Sequence, residues 1–286
     1  MIDALTRHWP ERLIDGALLG VFMFVACVGA AAIEHPGSPL RRRLPAPAAR
    51  RWLMGALMGL TAVALIGSPW GARSGAHMNP AATLAFLSLG KVEPWDAVFY
   101  ILAQFAGGWL GVRLAARALG EAAGHPLVRH AVTVPGPAGR GAAWAAEFAM
   151  SFVLMTAGLA LSRRPGTAPY TGPAIGALLT AFIVLGAPIS GMSVNPARTL
   201  ASALHEREFR GLWVYCTAPV AAMILAAAAH SALMGPVAAP CAKWNHASDA
   251  PCIFRCSIDQ RRASEANPAP GAGIESNEWV DGAMTR

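Results

Sequence analysis

The sequence predicts an all-α membrane protein with six transmembrane helices and two re-entrant half-helices arranged as two repeats. Charged residues make up only 14% of the 286 residues, whereas soluble globular domains carry about 25%. Six blocks of 16 to 23 residues are almost free of charge, and the tripeptide Asn-Pro-Ala occurs twice in similar surroundings. Together these observations indicate membrane helices, because a soluble domain would need charged surface along each helix.

The six apolar blocks define the predicted spans in order. They cover residues 13–33, 52–69, 97–112, 143–161, 172–189 and 212–234. A helix needs about 20 residues to cross the hydrocarbon core, so five blocks are long enough and the third is marginal. Only Asp15 and Glu147 carry charge within them. A cleaved signal peptide is the alternative for the first block, but its length and its aspartate favour a retained span.

The chain divides around these spans into five predicted regions. They are an N-terminal segment 1–12, a first repeat 13–118, a connecting loop 119–142, a second repeat 143–236 and a tail 237–286. The final 46 residues carry eleven charges, so we expect the tail to be disordered. The net charge is +7, but no basic stretch is interleaved with aromatic residues as nucleic acid binding requires. We therefore expect no nucleic acid partner.

The repeated motif predicts two half-helices. The sequence Asn79-Pro80-Ala81 follows the second block, and Asn195-Pro196-Ala197 follows the fifth. Asn is a favoured N-cap and Pro a favoured first helical residue, so each copy starts a helix. The apolar runs that follow are too short to span a bilayer. If both loops dip into the membrane, their positive helix ends meet near its middle and line a pore.

With both motifs in these positions, residues 11–236 resemble the aquaporin (major intrinsic protein) family. The resemblance implies an aquaporin-like fold of two inverted three-helix halves and a homotetramer with one pore per subunit. It also implies that Asn79 and Asn195 donate hydrogen bonds to the passing molecule, and that Arg198 belongs to the selectivity filter. The alternatives are that both asparagines only cap their helices and that Arg198 forms a surface ion pair.

The same comparison assigns the remaining filter positions. They are Met58 in the second span, Ile183 in the fifth and Met192 in the second loop, although Gly59 is an alternative to Met58. The histidine of water-selective members is absent at Ile183, and Thr199 replaces the aspartate of glycerol facilitators. We therefore expect apolar, adaptable walls that relax selection for water.

Three further residues receive roles from the resemblance. Asp15 and Glu147 are expected to brace the re-entrant loops, and His77 to line the cytoplasmic vestibule. A secondary transporter coupled through the two carboxylates is the alternative function, since intramembrane carboxylates are often functional.

The cysteines provide no stronger signal. Cys252 and Cys256, with His246 upstream, have spacing that zinc allows, but no second pair follows. We therefore expect no metal and no cofactor. The spans contain no nucleophile with a base, so we do not expect an enzyme.

The expected function is a passive channel for water and small uncharged solutes, such as glycerol-like polyols, urea and neutral metalloid hydroxides, that excludes protons and ions. Lipid and these solutes are the expected partners. We expect a multi-pass protein of the cell membrane, plasma or inner, with cytoplasmic termini. Charge does not decide this orientation, because 11 Lys and Arg would lie on the terminal side and 12 on the other.

Overall fold

The computed structural model describes residues 6–235, 239–246 and 252–258, and this part of the chain contains helices but no strand. The eight principal helices are α1 (Trp9–Glu34), α2 (Pro47–Gly67), α3 (Pro80–Ser88), α4 (Pro94–Leu119), α5 (Gly139–Ser162), α6 (Thr171–Ser190), α7 (Pro196–Glu206) and α8 (Leu212–Met234). Short helical turns cover Pro39–Arg43, Pro69–Ser74, Glu121–Gly124, Arg129–Ala131 and Ala168–Tyr170.

Among the described residues, six helices are long and apolar enough to cross a membrane, while α3 and α7 are too short to do so. The predicted all-α architecture is confirmed. The spans extend beyond the apolar blocks because charged residues at their ends pair with one another. Arg12 of α1 donates a hydrogen bond to Asp96 of α4 at 2.6 Å, and both side chains are buried.

Helix starts and stops follow local chemistry. Proline occupies the first turn of α2, α3, α4 and α7, where its missing N–H has no helical partner to lose. Gly191 ends α6, and Gly75 ends the turn before α3, with φ of 76° and 93°. Glycine adopts this left-handed conformation without steric cost, so each re-entrant loop begins at a sharp change of direction.

Glycines bring two pairs of helices into close contact. A Cβ added at Gly107 of α4 would lie 1.9 Å from the carbonyl oxygen of Gly16 in α1. A Cβ added at Gly59 of α2 would lie 2.4 Å from the carbonyl oxygen of Gly176 in α6. The first and last helices of each repeat contact each other, α1 with α4 and α5 with α8.

The direction of the spans fixes the sides of the molecule. We call the side where α1 begins and α8 ends the terminal face, and the other side the distal face. Since α2 ends and α4 begins at the terminal face, the loop that carries α3 enters from there. The loop that carries α7 enters from the distal face, and the two halves are therefore inverted.

The tail differs from the predicted disorder in two segments, 239–246 and 252–258, which we call the tail segments. Cys241, Trp244, Phe254 and Cys256 are buried and belong to the main hydrophobic core. Burial of these apolar side chains stabilises the two segments. The average composition of the whole tail, which is polar, did not predict this burial. Residues 237–238, 247–251 and 259–286 of the predicted tail lie outside the described residues.

The outer surface of the bundle is apolar, with many large side chains exposed. Leu60, Leu185 and Leu233 are each at least 69% exposed. Exposed tryptophans lie near the helix ends, at Trp9 and Trp95 on the terminal face and at Trp52 and Trp213 on the distal face. Apolar walls with tryptophan at both edges match lipid and its two interfaces, so this is a multi-pass membrane protein.

Candidate functional site

The two predicted asparagines meet where α3 and α7 begin. The Nδ2 atom of Asn79 donates to the carbonyl oxygen of Val194 at 2.8 Å, and Nδ2 of Asn195 donates to that of Met78 at 2.7 Å. Each asparagine therefore bonds the backbone that precedes the other. This crossed pair joins the two repeats at the centre of the bundle.

The same asparagines cap their own helices. Oδ1 of Asn79 accepts from the backbone N–H of Ala81, and Oδ1 of Asn195 accepts from those of Ala197 and Arg198. Capping fixes the amide plane so that Nδ2 points away from the helix. The helix-cap role and the crossed bonds therefore occur together in each residue.

Pro80 and Ala81 of the first copy, and Pro196 and Ala197 of the second, form the buried first turns of α3 and α7. Positive φ angles precede both turns in matching places, at Met78 (47°) and Val194 (51°). Such angles are uncommon for non-glycine residues, so the loops need outside support.

Asp15 supplies part of that support for the first loop. Its carboxylate accepts from the backbone N–H of Met78 at 2.9 Å and from Nε2 of Gln104 at 2.7 Å. The hydroxyl of Ser74 lies 3.4 Å away. Gln104 also donates to Thr83 of α3, so α1, α4 and the loop share one buried network.

Glu147 occupies the corresponding place for the second loop. It accepts from the hydroxyl of Ser190 at 2.6 Å and from the backbone N–H groups of Ser193 and Val194 at 2.9 and 2.6 Å. Both carboxylates are fully buried, and each accepts at least one backbone N–H of its re-entrant loop. Loop bracing stays the prediction for both, and these hydrogen bonds are the contacts that it requires.

Two tyrosines that the sequence did not single out complete the pattern. Tyr100 of α4 donates to the carbonyl oxygen of Ser74, and Tyr215 of α8 donates to that of Ser190. Tyr100 and Tyr215 are two of the three tyrosines in the chain, and each lies in the last helix of its repeat. Their equivalent positions in the two repeats are the sequence signal that could have identified them.

Two cavities extend from the centre of the bundle toward the two faces. The terminal cavity, of about 80 Å³, is bounded by both asparagines, His77, Met78 and Trp244. The distal cavity, of about 210 Å³, lies toward the other face. The cavities share lining residues that include Phe22, Leu179, Ser193 and Arg198. The two cavities therefore adjoin, with Arg198 at the junction.

The predicted filter residues come together in the distal cavity. Met58, Ile183, Met192 and Arg198 all line it. Gly59, the alternative to Met58, faces Gly176 of α6 instead. The Nη1 atom of Arg198 is buried and has no hydrogen-bond partner among the described residues. The junction thus combines three apolar side chains with a cation that still has a donor to offer.

Thr199, next to Arg198, lines neither cavity. Its hydroxyl bonds those of Thr133, at 2.8 Å, and Ser193, at 2.5 Å. The connecting loop is thereby fastened to the start of α7.

His77 borders the terminal cavity, but both nitrogens of its ring are hydrogen-bonded within the protein. Its Nδ1 lies 3.0 Å from the hydroxyl of Thr83, and its Nε2 lies 2.7 Å from the carbonyl oxygen of Ala242 in the tail. Its ring stacks between Phe86 and Phe254 at centroid distances of 5.0 and 5.3 Å. The predicted vestibule residue therefore contacts the tail directly.

The arginine-rich first loop forms part of the distal mouth. Glu34 accepts from Nε of Arg50 at 3.0 Å and from Arg41 at 2.8 Å. Nη1 of Arg50 also donates to the carbonyl oxygens of Leu44 and Pro45. Glu34, Arg50 and Arg51 line the distal cavity, so this mouth is charged while the cavity below it is mostly apolar.

Comparison with known proteins supports this architecture. The chain is 37% identical over 167 residues to aquaporin NIP6-1 of Arabidopsis thaliana, covering 57% of this chain and 52% of that protein. It is 35% identical over 156 residues to nodulin-26 of Glycine max, covering 54% and 55%. The chain spans about half the length of these curated relatives.

Among solved structures, the X-ray structure of the aquaglyceroporin from Plasmodium falciparum has the same fold. The TM-score is 0.68 at 17% identity, and the match covers 81% of this chain and 98% of that one. The family model "Major intrinsic protein" matches residues 14–230, which contain all eight principal helices except the ends of α1 and α8. On the extent of that match, the chain belongs to the major intrinsic protein family.

Proposed function

We propose that this protein is a passive membrane channel for water and small uncharged solutes. The observation that carries the proposal is a route outlined by two adjoining cavities: the crossed asparagines line the terminal cavity, the three apolar filter residues line the distal cavity, and Arg198 lines both. The matched relatives bear aquaporin names, and the solved neighbour is titled an aquaglyceroporin. Both names fit such a route.

The lining favours solutes that combine hydroxyl or amide groups with carbon. Met58, Ile183 and Met192 offer apolar walls, and methionine adapts its shape at little cost. Arg198 offers a donor to an oxygen on the opposite side of the solute. Glycerol-like polyols, urea and neutral metalloid hydroxides have this character, so we propose them beside water.

Exclusion of ions and protons follows from charge at the narrow centre. The N-termini of α3 and α7 each carry a partial positive charge of about half an elementary unit. Arg198 adds a full charge at the junction. A cation at this point meets three positive sources in a region with little water to screen them, and the proton meets the same barrier.

The alternative of a carboxylate-coupled transporter has less support. Asp15 and Glu147 have zero side-chain exposure and border neither cavity. Their oxygens accept hydrogen bonds from the re-entrant loops and from neighbouring helices. An exchangeable ion or proton site needs access to the transported solute, and these carboxylates lack it.

We also propose that four copies assemble, with one pore each, in the plasma or inner membrane and with the termini in the cytoplasm. The family resemblance supports the tetramer. The even number of spans supports termini on one side, and the exposed apolar walls of the bundle are suited to both lipid and neighbouring subunits.

Osmotic swelling of proteoliposomes tests the channel. We expect water, glycerol and urea to cross faster than through bare lipid, without acidification of the lumen under a pH gradient. The variant Ile183→His replaces an apolar wall of the distal cavity with a polar ring that reaches further from the backbone, so its glycerol-to-water permeability ratio should fall. Leu60→Ile, on the exposed lipid face, is the matched control. Permeability equal to bare lipid for all three solutes would contradict the proposal.

A further inference from the structure

A cluster of potential metal ligands lies in the tail segments, away from the filter. The ligand atoms of Cys241, His246, Cys252 and Cys256 all lie within 4.8 Å of one another. Sγ of Cys241 is 3.5 Å from Sγ of Cys252, and Nε2 of His246 is 3.1 Å from Sγ of Cys256. No disulfide joins any of the five cysteines.

These distances suit one tetrahedral zinc ion. With Zn–S bonds of about 2.3 Å and Zn–N bonds of about 2.0 Å, neighbouring ligand atoms lie about 3.5 to 3.8 Å apart. The widest separation needs about 1 Å of closure, and the shortest needs slight expansion. Three thiolates with one imidazole form a closed donor set for Zn²⁺, which leaves no position for a substrate.

A disulfide explains the cluster less well. A disulfide between Cys241 and Cys252 would not account for the nearby Cys256 and His246, whereas a metal ion would be bound by all four side chains. Cys241 is the ligand that the sequence did not reveal, because it lies eleven residues before the next cysteine. That gap explains why the sequence predicted no metal here.

The ligands bracket two aromatic residues at the terminal cavity: Trp244 lines the cavity, and Phe254 stacks on the lining residue His77. Trp244 lies between Cys241 and His246, and Phe254 lies midway between the other two cysteines. The indole of Trp244 borders the cavity and packs on Gly158 of α5, where an added Cβ would lie 2.4 Å from the ring.

Hydrogen bonds fasten the same segments to the first re-entrant loop. The backbone N–H of Trp244 donates to the carbonyl oxygen of Gly75 at 3.2 Å, and Ala242 accepts from His77. Arg255 pairs with Glu93 at 2.6 Å and donates its backbone N–H to the carbonyl oxygen of Lys91. The tail segments therefore sit across the terminal mouth.

We propose that Cys241, His246, Cys252 and Cys256 bind one Zn²⁺ ion that holds Trp244 and Phe254 at the terminal mouth, so that bound zinc lowers the permeability of the channel and its removal raises it. The metal cross-links two segments that would each be short and weakly ordered alone. The gating part rests on the proposed channel function, while the metal site does not.

Elemental analysis of the purified full-length protein tests the site. We expect one zinc per chain, and loss of zinc in the Cys252→Ser/Cys256→Ser variant. Cobalt substitution should give the thiolate-to-cobalt charge-transfer absorption of a tetrahedral site. The matched control is Cys27→Ser/Cys216→Ser, which removes the two cysteines of the spans and should keep the metal. Absence of zinc from the wild-type protein after purification without chelators and after incubation with zinc would overturn the assignment, as would a different metal under both conditions.

Water permeability in proteoliposomes tests the gate. A membrane-permeant zinc chelator should raise the permeability of the wild-type protein severalfold and leave Cys252→Ser/Cys256→Ser, already open, unchanged. Trp244→Ala should be open while retaining its zinc, which separates blocking from metal binding. Bound zinc with no effect of the chelator would overturn the gate. If the wild type, the chelated protein and every open variant conduct no faster than lipid, the channel function fails, although the zinc content still stands.

Discussion

At the scale of single residues, Glu147 illustrates how a buried charge is kept in a membrane. Three donors of the second re-entrant loop point at its two oxygens, two of them backbone N–H groups. Hydrogen bonds to an ionised group are stronger than those between neutral groups. The carboxylate therefore holds in place a loop whose backbone has positive φ angles at Met192 and Val194.

The substitution Glu147→Gln should destabilise the protein. Glutamine has one acceptor oxygen, so an amide N–H of the loop would face an NH₂ group, at a cost of about 1–3 kcal/mol. We expect a lower melting temperature in detergent by tryptophan fluorescence, together with reduced water permeability.

The matched control is Glu121→Gln, because that side chain is exposed. An unchanged melting temperature with loss of uphill solute uptake would instead support the carboxylate-coupled transporter.

At the scale of helices, the contact of α1 with α4 depends on glycine. Gly16 and Gly20 on α1 face Gly107 and Gly111 on α4, and an added Cβ at Gly111 would lie 2.1 Å from the carbonyl oxygen of Gly20. Such contacts leave no room for any side chain. Between membrane helices, where the hydrophobic effect contributes little, close packing of this kind supplies much of the attraction.

Gly107→Ala should push α1 and α4 apart. The clash is with backbone, which cannot rotate away, so we expect a loss of about 1–3 kcal/mol or more and a lower melting temperature. Gly141→Ala in α5, where nothing lies within 4 Å of the new Cβ, serves as the control and should not destabilise. Equal stability of the two variants would contradict the packing described.

A second helix-scale prediction concerns pH. Glu208 follows α7 and accepts hydrogen bonds from Arg210 and, at 3.2 Å, from Arg129 of the connecting loop. The hydrogen bond from Arg210 is the main reason that the pKa of Glu208 falls to about 2, from 4.5. Because the folded pKa is the lower one, the stabilisation is complete above pH 4.5 and is lost as the pH falls toward 2.

We therefore expect the connecting loop around Arg129 to loosen between pH 4.5 and 2. Hydrogen exchange of its amides, corrected for the intrinsic effect of pH, measures this. In Glu208→Gln the loop should already be loose at pH 6 and change less on acidification. A response of the variant as large as that of the wild type would assign the effect to other groups.

At the scale of the whole molecule, the sequence predicted those features that a short stretch of residues determines. Apolar block length indicated six spans, and Asn79-Pro80 with Asn195-Pro196 indicated two helix starts. The family resemblance, aligned on these motifs, assigned Met58, Ile183 and Met192 to the filter, and the structure places them around one cavity. Local pattern was sufficient here because each feature depends on a single helix or loop.

Other parts depend on contacts between distant segments. The partners of Tyr100 and Tyr215 are carbonyl oxygens 26 and 25 residues away, and backbone acceptors leave no mark in a sequence. The average composition of the tail is polar because charged residues outnumber the buried aromatic residues Trp244 and Phe254. The order of the tail segments comes from the surface of the finished bundle rather than from their own composition.

The crossed asparagine bonds have a consequence for biosynthesis. The acceptor of Asn79 is the carbonyl of Val194, 115 residues later, and a ribosome adding about 5–20 residues per second reaches it roughly 6 to 23 s after Asn79. During that interval the first re-entrant loop sits in the nascent chain without its central partner. Asp15 and Gln104, both made within the same half, are in position to hold the loop until the second half is inserted.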